Sequence, residues 1–267
     1  MSVSVISVTT SLPVREPNRV LRKFLRNKSA VIGAVLVVTF ALLALLAPWI
    51  SPFDPIKADF MAVRKAPSAL HWLGTDELGR DILSRLFWGA RTSLMAGCVS
   101  VIIAIVIGVP LGLIAGFWQG WLDSVISRVV EALLSCPFLV LAIALGAFLG
   151  PSLGNAMIAI GLSAMPIFAR LTRAQVMSIR NEEYIEGARA IGLPDRWILW
   201  RYVLPNVLSP ILVQATLAIA SAIITEASLS FLGLGQQPPG ATWGAMRNTA
   251  RSFLAQSPWM SIFPGLA

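Results

Sequence analysis

The apolar residues of this chain fall in long unbroken blocks and not in the short alternating runs that half-buried strands require. Ala30–Ile50 and Ser93–Phe117 contain no charged residue at all. A charge-free apolar run of about 18 residues or more is long enough to cross a ~30 Å hydrocarbon core as a helix. Five full spans follow from the pattern, near 30–50, 92–117, 128–149, 155–173 and 207–232. A sixth apolar segment covers 259–267; nine helical residues rise only about 14 Å, so this last span is expected to be incomplete, a truncated sixth helix. The fold class expected is an all-α polytopic membrane protein.

Composition agrees. Of the 267 residues, 56% are apolar and 13% charged, against roughly 45–50% and 25% in soluble domains. That excludes a disordered chain, a coiled coil and a basic nucleic-acid arm; the net charge of +8 needs no nucleic-acid partner. The N-terminal segment 1–29 is polar and basic, without a small-x-small cleavage site, so 30–50 is expected to be retained as a first span and not removed as a signal peptide. With five spans alternating, Arg15, Arg19, Arg22, Lys23, Arg26, Lys28, Arg128, Arg170, Arg173, Arg180, Arg189, Arg196 and Arg201 share one side, thirteen basic residues against eight. The bias predicts a cytoplasmic N-terminus and a cytoplasmic 174–206 loop. Cys98 and Cys136 lie inside apolar blocks and are expected to be small buried hydrophobes, neither disulfide nor metal ligands.

Two segments outside the spans are long enough to carry structure, 51–91 outside and 174–206 inside. The second reads as two short amphipathic helices joined at Gly192-Leu193-Pro194. In the first, Tyr184, Ile185, Ala188 and Ile191 share a helical face. Glu182, Glu183 and Glu186 crowd its N-terminal turns and Arg189 its last, as the helix dipole favours. Gly192 sits where a helix-ending residue turns left-handed, and Pro194 suits the start of the next helix. That next helix carries Trp197, Ile198, Arg201 and Leu204 and is expected to end at Pro205. Such a pair either covers the inner ends of the spans or pushes into a groove on a soluble partner.

Glu186-Gly187-Ala188, three residues, Gly192, then Leu204-Pro205 resembles the EAA loop of permease subunits of bacterial ABC importers. Gly187 replaces the family's second-position alanine and Tyr202 its isoleucine. The resemblance implies that Tyr184, Glu186, Gly187, Ala188, Arg189, Gly192, Leu204 and Pro205 form the loop coupling the chain to an ATPase. Leu73-Gly74-Thr75-Asp76 with Gly79-Arg80-Asp81, and Gly233-Leu234-Gly235-Gln236-Gln237-Pro238-Pro239 with Trp243-Gly244, are similar to the C-type permeases of the dipeptide/oligopeptide/nickel importer group. This likeness covers nearly all of 20–267 and implies one permease domain over 30–267, placed in the bacterial inner membrane. It also implies as partners a homologous second permease, two cytoplasmic ATPase subunits and an extracytoplasmic solute-binding protein, besides membrane lipid. The solute-binding protein would meet the 51–91 and 236–258 segments.

No phosphate-binding loop of the G-x-x-x-x-G-K-[ST] type occurs, so energy must come from another subunit, and no cofactor or metal site is expected. Lone His71 lacks metal-ligand spacing and fits turn structure or helix-start packing. Gly150-Pro151-Ser152-Leu153-Gly154 matches a nucleophile pattern formally, but no histidine lies downstream, so a tight turn is expected and no catalytic residue. Gly108, Gly112, Gly116 and Gly120 recur every four residues, a spacing that lets helices approach closely in lipid. Arg128 and Glu131 are spaced to pair; Arg170 and Arg173 fit topology anchors. Glu226 is the lone acid of its span, which makes it a candidate for the pathway or its gate, or a structural hydrogen-bonding group. It is also the one feature that favours the alternative, an ion-coupled secondary transporter.

Overall fold

In a computed structural model, residue 22 and residues 24–267 are described; most of the basic N-terminal segment lies outside them. Contacts divide the chain into residues up to Leu42 and a body from Leu43 to Ala267. The first unit contributes most of helix α1 (Lys28–Ile50), apolar on every face, as a helix surrounded by hydrocarbon must be.

The body is helical, and among its described residues no β-strand occurs. Helix α2 runs Ile82–Trp118, α3 Gly120–Leu134, α4 Phe138–Leu149 and α5 Leu153–Ile179. The short α6 (Glu183–Ala190) follows, then α7 (Asp195–Ile198), α8 (Leu204–Phe231), α9 (Trp243–Ala250) and α10 (Trp259–Leu266). Among the described residues four helices are long and apolar enough to cross a membrane, five spans if the bent pair α3–α4 counts as one.

Three boundaries depart from expectation. Helix α2 begins ten residues before position 92, because Asp81 caps it: its Oδ2 accepts from Ser84 N at 2.8 Å. The charged Arg85 and Arg91 lie in its first turns, where a charge-free window could not extend. The span expected over 128–149 is two helices bent by 93°, broken at Ser135-Cys136-Pro137, where Pro137 removes a backbone donor. The helix expected to end at Pro205 instead continues: α7 passes through a π turn (Leu199–Val203) straight into α8. That wider turn accommodates Pro205, which has no N–H to give the preceding turn, and Leu204 N donates to Leu199 O.

The core is the crossing of α2 and α5. A Cβ on Gly108, Gly112 or Gly116 would press on α5 backbone at Met165, Ala169 and Arg173 respectively, so three glycines of the four-residue series set the approach. Gly120 has open space around it and φ +67°; it serves the turn into α3 instead. Gly161 on α5 faces Ile103, and Gly97 on α2 faces Ile219 and Ile223 of α8. Cys98 is exposed on α2 and Cys136 half-buried, which corrects the buried role expected of them: Cys98 follows Gly97 but faces away from α8.

At the Ile82 end of α2, residues 51–81 fold into a polar platform. Asp59 N donates to Leu78 O, Arg64 N to Asp76 O and Thr75 N to Lys65 O. Segment 236–258 joins it: Arg85 Nη1 donates to Pro239 O at 3.3 Å, Arg64 Nη1 to Gln256 Oε1 at 2.9 Å. Trp259 Nε1, opening α10, donates to Thr75 O at 3.3 Å.

Candidate functional site

At the Trp118 end of α2, the loop between α5 and α8 builds a surface from local rules. Helix α6 ends in a Schellman motif: Leu193 N donates to Ala188 O at 3.2 Å and Gly192 N to Arg189 O at 2.9 Å. The motif needs a left-handed residue after the cap, and Gly192 has φ +80°. Pro194 caps α7 instead of occupying its first turn.

Only half of the expected apolar face is buried. Ile185 (0% exposed) and Ala188 (5%) enter the same core cluster as Phe117, Val176, Ile198 and Val203. Tyr184 and Ile191 stay exposed, Ile191 at 76%. Beside them Glu186, Gly187, Arg189 and Gly192 are exposed too, and Gly187 and Gly192 have no neighbouring atom within 4 Å of a would-be Cβ. The second helix likewise buries Ile198, Leu199 and Val203, while Trp197 and Arg201 face out. Asn206 Nδ2 bonds Tyr202 O at 2.7 Å and approaches Tyr184 Oη at 3.4 Å, so the half-buried Leu204 and the exposed Pro205 sit beside α6. Partial desolvation, then nearby Glu182, holds the Tyr184 hydroxyl above the ordinary tyrosine range.

Glu226 is not part of this surface; 21 residues of α8 beyond Pro205 place it about 30 Å away. It is fully buried. Its Oε1 accepts from Ser230 Oγ at 2.6 Å and its Oε2 from Ser93 Oγ at 3.3 Å. Thr242 Oγ1, which caps α9, lies 3.4 Å from Ser230 Oγ. The carboxyl therefore ties α8, α2 and the start of α9 together. Glu226→Gln, which keeps an acceptor, is expected to leave thermal unfolding of the purified protein within a degree or two of the parent. Glu226→Leu strands buried hydroxyls at a cost of about 1–3 kcal/mol and should lower the midpoint by several degrees. Equal midpoints for the two variants would show that the tie contributes nothing.

Three other expectations resolve. His71 Nδ1 is 3.0 Å from Asp81 Oδ1, so it packs at the start of α2. Ser152 caps α5, accepting from Asn155 N at 3.0 Å. Arg128 and Glu131 approach only to 3.9 Å and are well exposed. The stronger pair was missed: Arg173, read as an anchor, makes a bidentate bond to Asp123 at 2.5 and 2.7 Å, 50 residues away. Also missed were Phe117, whose carbonyl accepts from Arg180 Nη1 at 3.1 Å, and the pairing of the motif carboxylate Asp76 with Arg80. Next to Asp76, burial and that neighbouring carboxylate raise the Glu77 carboxyl above its ordinary range, against the pull of Arg80 and Arg85.

Residues 108–267 match the family described as "Binding-protein-dependent transport system inner membrane component", and residues 18–67 match "N-terminal TM domain of oligopeptide transport permease C". The chain belongs to this family of inner-membrane transport components. Over 97% of its length the permease is 44% identical to the dipeptide transport system permease protein DppC of Alkalihalophilus pseudofirmus, covering 84% of that relative. It is 43% identical over 98% of its length to the glutathione transport system permease protein GsiD of Shigella flexneri, covering 89%. It is 44% identical over 89% to the probable D,D-dipeptide transport system permease protein DdpC of Escherichia coli, covering 80%. The permease also shares the fold of a chain of the MetNI methionine ABC transporter in an inward-facing conformation, at 21% identity and a TM-score of 0.55, over 68% of its own length and 87% of that chain. It is thus a multi-pass inner-membrane component of an ABC importer of the dipeptide/oligopeptide type.

Proposed function

We propose that this permease forms half of the translocation pathway of an ATP-driven importer for small peptides, from dipeptides to glutathione-like molecules. The names of the relatives DppC, DdpC and GsiD support that substrate class; none of the three speaks for nickel chelates. A homologous second permease would complete the path, and a solute-binding protein would deliver substrate to the platform built from 51–91 and 236–258. The Lys and Arg bias supports a cytoplasmic N-terminus and 174–206 loop, with 1–29 as a cytoplasmic segment and 30–267 as the permease domain.

The observation that carries the coupling role is the division of α6 into two faces. Ile185 and Ala188 fix it to the bundle, while Glu186, Gly187 and Gly192 remain uncovered by the chain itself. A helix anchored on one side and bare on the other is suited to enter a groove on one of two ATPase subunits. ATP binding and hydrolysis there would switch the path between outward- and inward-facing states. The chain itself would do no covalent chemistry.

Co-purification of the tagged chain with its ATPase and second permease tests this. The parent should bring down both. Gly192→Trp forces a side chain onto φ +80°, costing about 1–2 kcal/mol. Because the surrounding space is open, the strain falls on the turn alone, and the variant should lose ATPase while keeping its permease partner. Gly192→Asn, tolerant of that backbone region, should retain both. A parent chain that recruits no ATPase would overturn the importer reading in favour of ion-coupled secondary transport, and full uptake by Gly192→Trp would remove the loop from the mechanism.

A further inference from the structure

Helix α6 is joined by the chain to α5 and, through α7, to α8; nothing covalent links it to α2. Yet α2, like the continuous α7–α8, runs from one end of the body to the other. Its 37 residues span about 55 Å. Its outer end is fastened to α9, where Trp243 Nε1 donates to Leu86 O at 3.2 Å and Trp243 lies against Gly89. Its other end stops at Phe117-Trp118, and that end is gripped twice by the coupling loop. Arg180 donates to the Phe117 carbonyl, one of the last four of the helix and so without an intrahelical partner. The Arg189 guanidinium sits over the Phe117 ring, 5.3 Å from its centroid, within the range of a cation–π contact. Asp195, at the start of α7, lies near the same guanidinium, Oδ1 to Nε at 3.7 Å. Phe117 is itself 3% exposed, so the ring cannot turn away without opening the core.

We propose that Arg189, set over the Phe117 ring, is the joint through which movement of the coupling helix reaches α2 and, along it, the platform at the opposite end. The proposal rests on the reading of α6 as the ATPase-docking element and adds how that element engages the bundle. Arg189 is a positioning residue in this scheme. It faces outward enough to lie beside a docked subunit, but its partners within the chain are on α2 and α7. Phosphate or substrate recognition is not asked of it.

The test uses the reconstituted importer in proteoliposomes, with its binding protein and a dipeptide, and reads peptide imported per ATP hydrolysed. Recovery of the complex in detergent is measured alongside. Arg189→Leu and Phe117→Leu should each lower the import-to-hydrolysis ratio about fivefold, the scale of one cation–π contact. The double variant should fall no further, because both changes remove the same contact. Arg189→Lys and Phe117→Tyr, which keep a cation and a ring, should stay near the parent and report on the joint even if a leucine variant folds poorly. Losses that multiply to about 25-fold in the double variant, or a parent-like ratio in Arg189→Leu, would overturn the joint. So would complex recovery that falls in step with uptake, which would make Arg189 a docking residue. A parent chain that binds no ATPase would instead defeat the importer reading beneath it.

Discussion

Gly112→Leu is expected to leave almost no folded permease to purify. A Cβ at this position would stand 2.6 Å from Thr172 Cβ and 3.0 Å from Arg173 N, and would overlap the Ala169 carbonyl. These are backbone and β-carbon atoms of α5, which cannot swing aside as the tip of a long side chain can. Room for a leucine can be made only by parting α2 from α5. The same parting would unseat Gly108, which faces Phe168 Cβ at 2.9 Å, and Gly116, which faces Val176 Cβ at 2.8 Å. In lipid the helices gain nothing from hiding apolar surface, so close packing is most of what holds them together. Overpacking usually costs about 1–3 kcal/mol; displacement of a whole crossing belongs to the exceptional class above about 4 kcal/mol. The control is Gly187→Leu, the same change of volume where no atom lies within 4 Å, which should purify as the parent does. Monodisperse Gly112→Leu at parental yield in size-exclusion chromatography would refute the crossing.

Those glycines were visible in the sequence as a four-residue repeat, but the helix they face was not, because spacing along one helix names no partner. Hydropathy located the long helices for a similar reason and failed where it had to. It averages over a window and carries no direction, so a 93° bend inside an apolar block left no trace except Pro137. Charge-free windows cut α2 short at Arg91, since the buried Arg85 is tolerated through Asp76 and through bonds to Pro55 and Pro239 that are 30 and 154 residues away. The 174–206 loop was the most legible part. Gly192 and the capping pattern follow from rules spanning five residues, and the structure has the turn they require. Periodicity could not say that Tyr184 and Ile191 would stay bare while Ile185 and Ala188 were buried, because a stripe shows where apolar residues lie and not how much of it the body covers. Glu226 stood out as a lone acid, and its hydroxyl partner Ser93, 133 residues distant, could come only from the fold.

Asp76→Ala should unravel the platform while the membrane helices persist. One carboxylate serves four donors there. Oδ1 accepts from Leu78 N at 3.0 Å and Arg80 N at 2.9 Å, closing the turn that Gly79 completes at φ +75°. Oδ2 accepts from Arg80 Nε at 2.7 Å and lies 3.3 Å from Arg85 Nε. Both arginines are only 5% exposed. Alanine would leave two guanidiniums facing each other across the gap, with Glu77 at 2.6 Å as Arg80's remaining carboxylate. Removing one partner of a buried charge pair costs about 3–5 kcal/mol, because the other charge stays out of water. Asp76→Asn should fall between, since the amide oxygen can still accept in the turn but the charge is gone. The loss is local: α5 and α8 draw on the core beneath and not on Asp76. Hydrogen exchange should therefore speed up across 57–80 and at the start of α2 while the middle of α5 keeps its protection, and added salt should not restore it, because screening hardly reaches a buried pair. Parental protection of 57–80 in Asp76→Ala would show that the turn stands without its carboxylate.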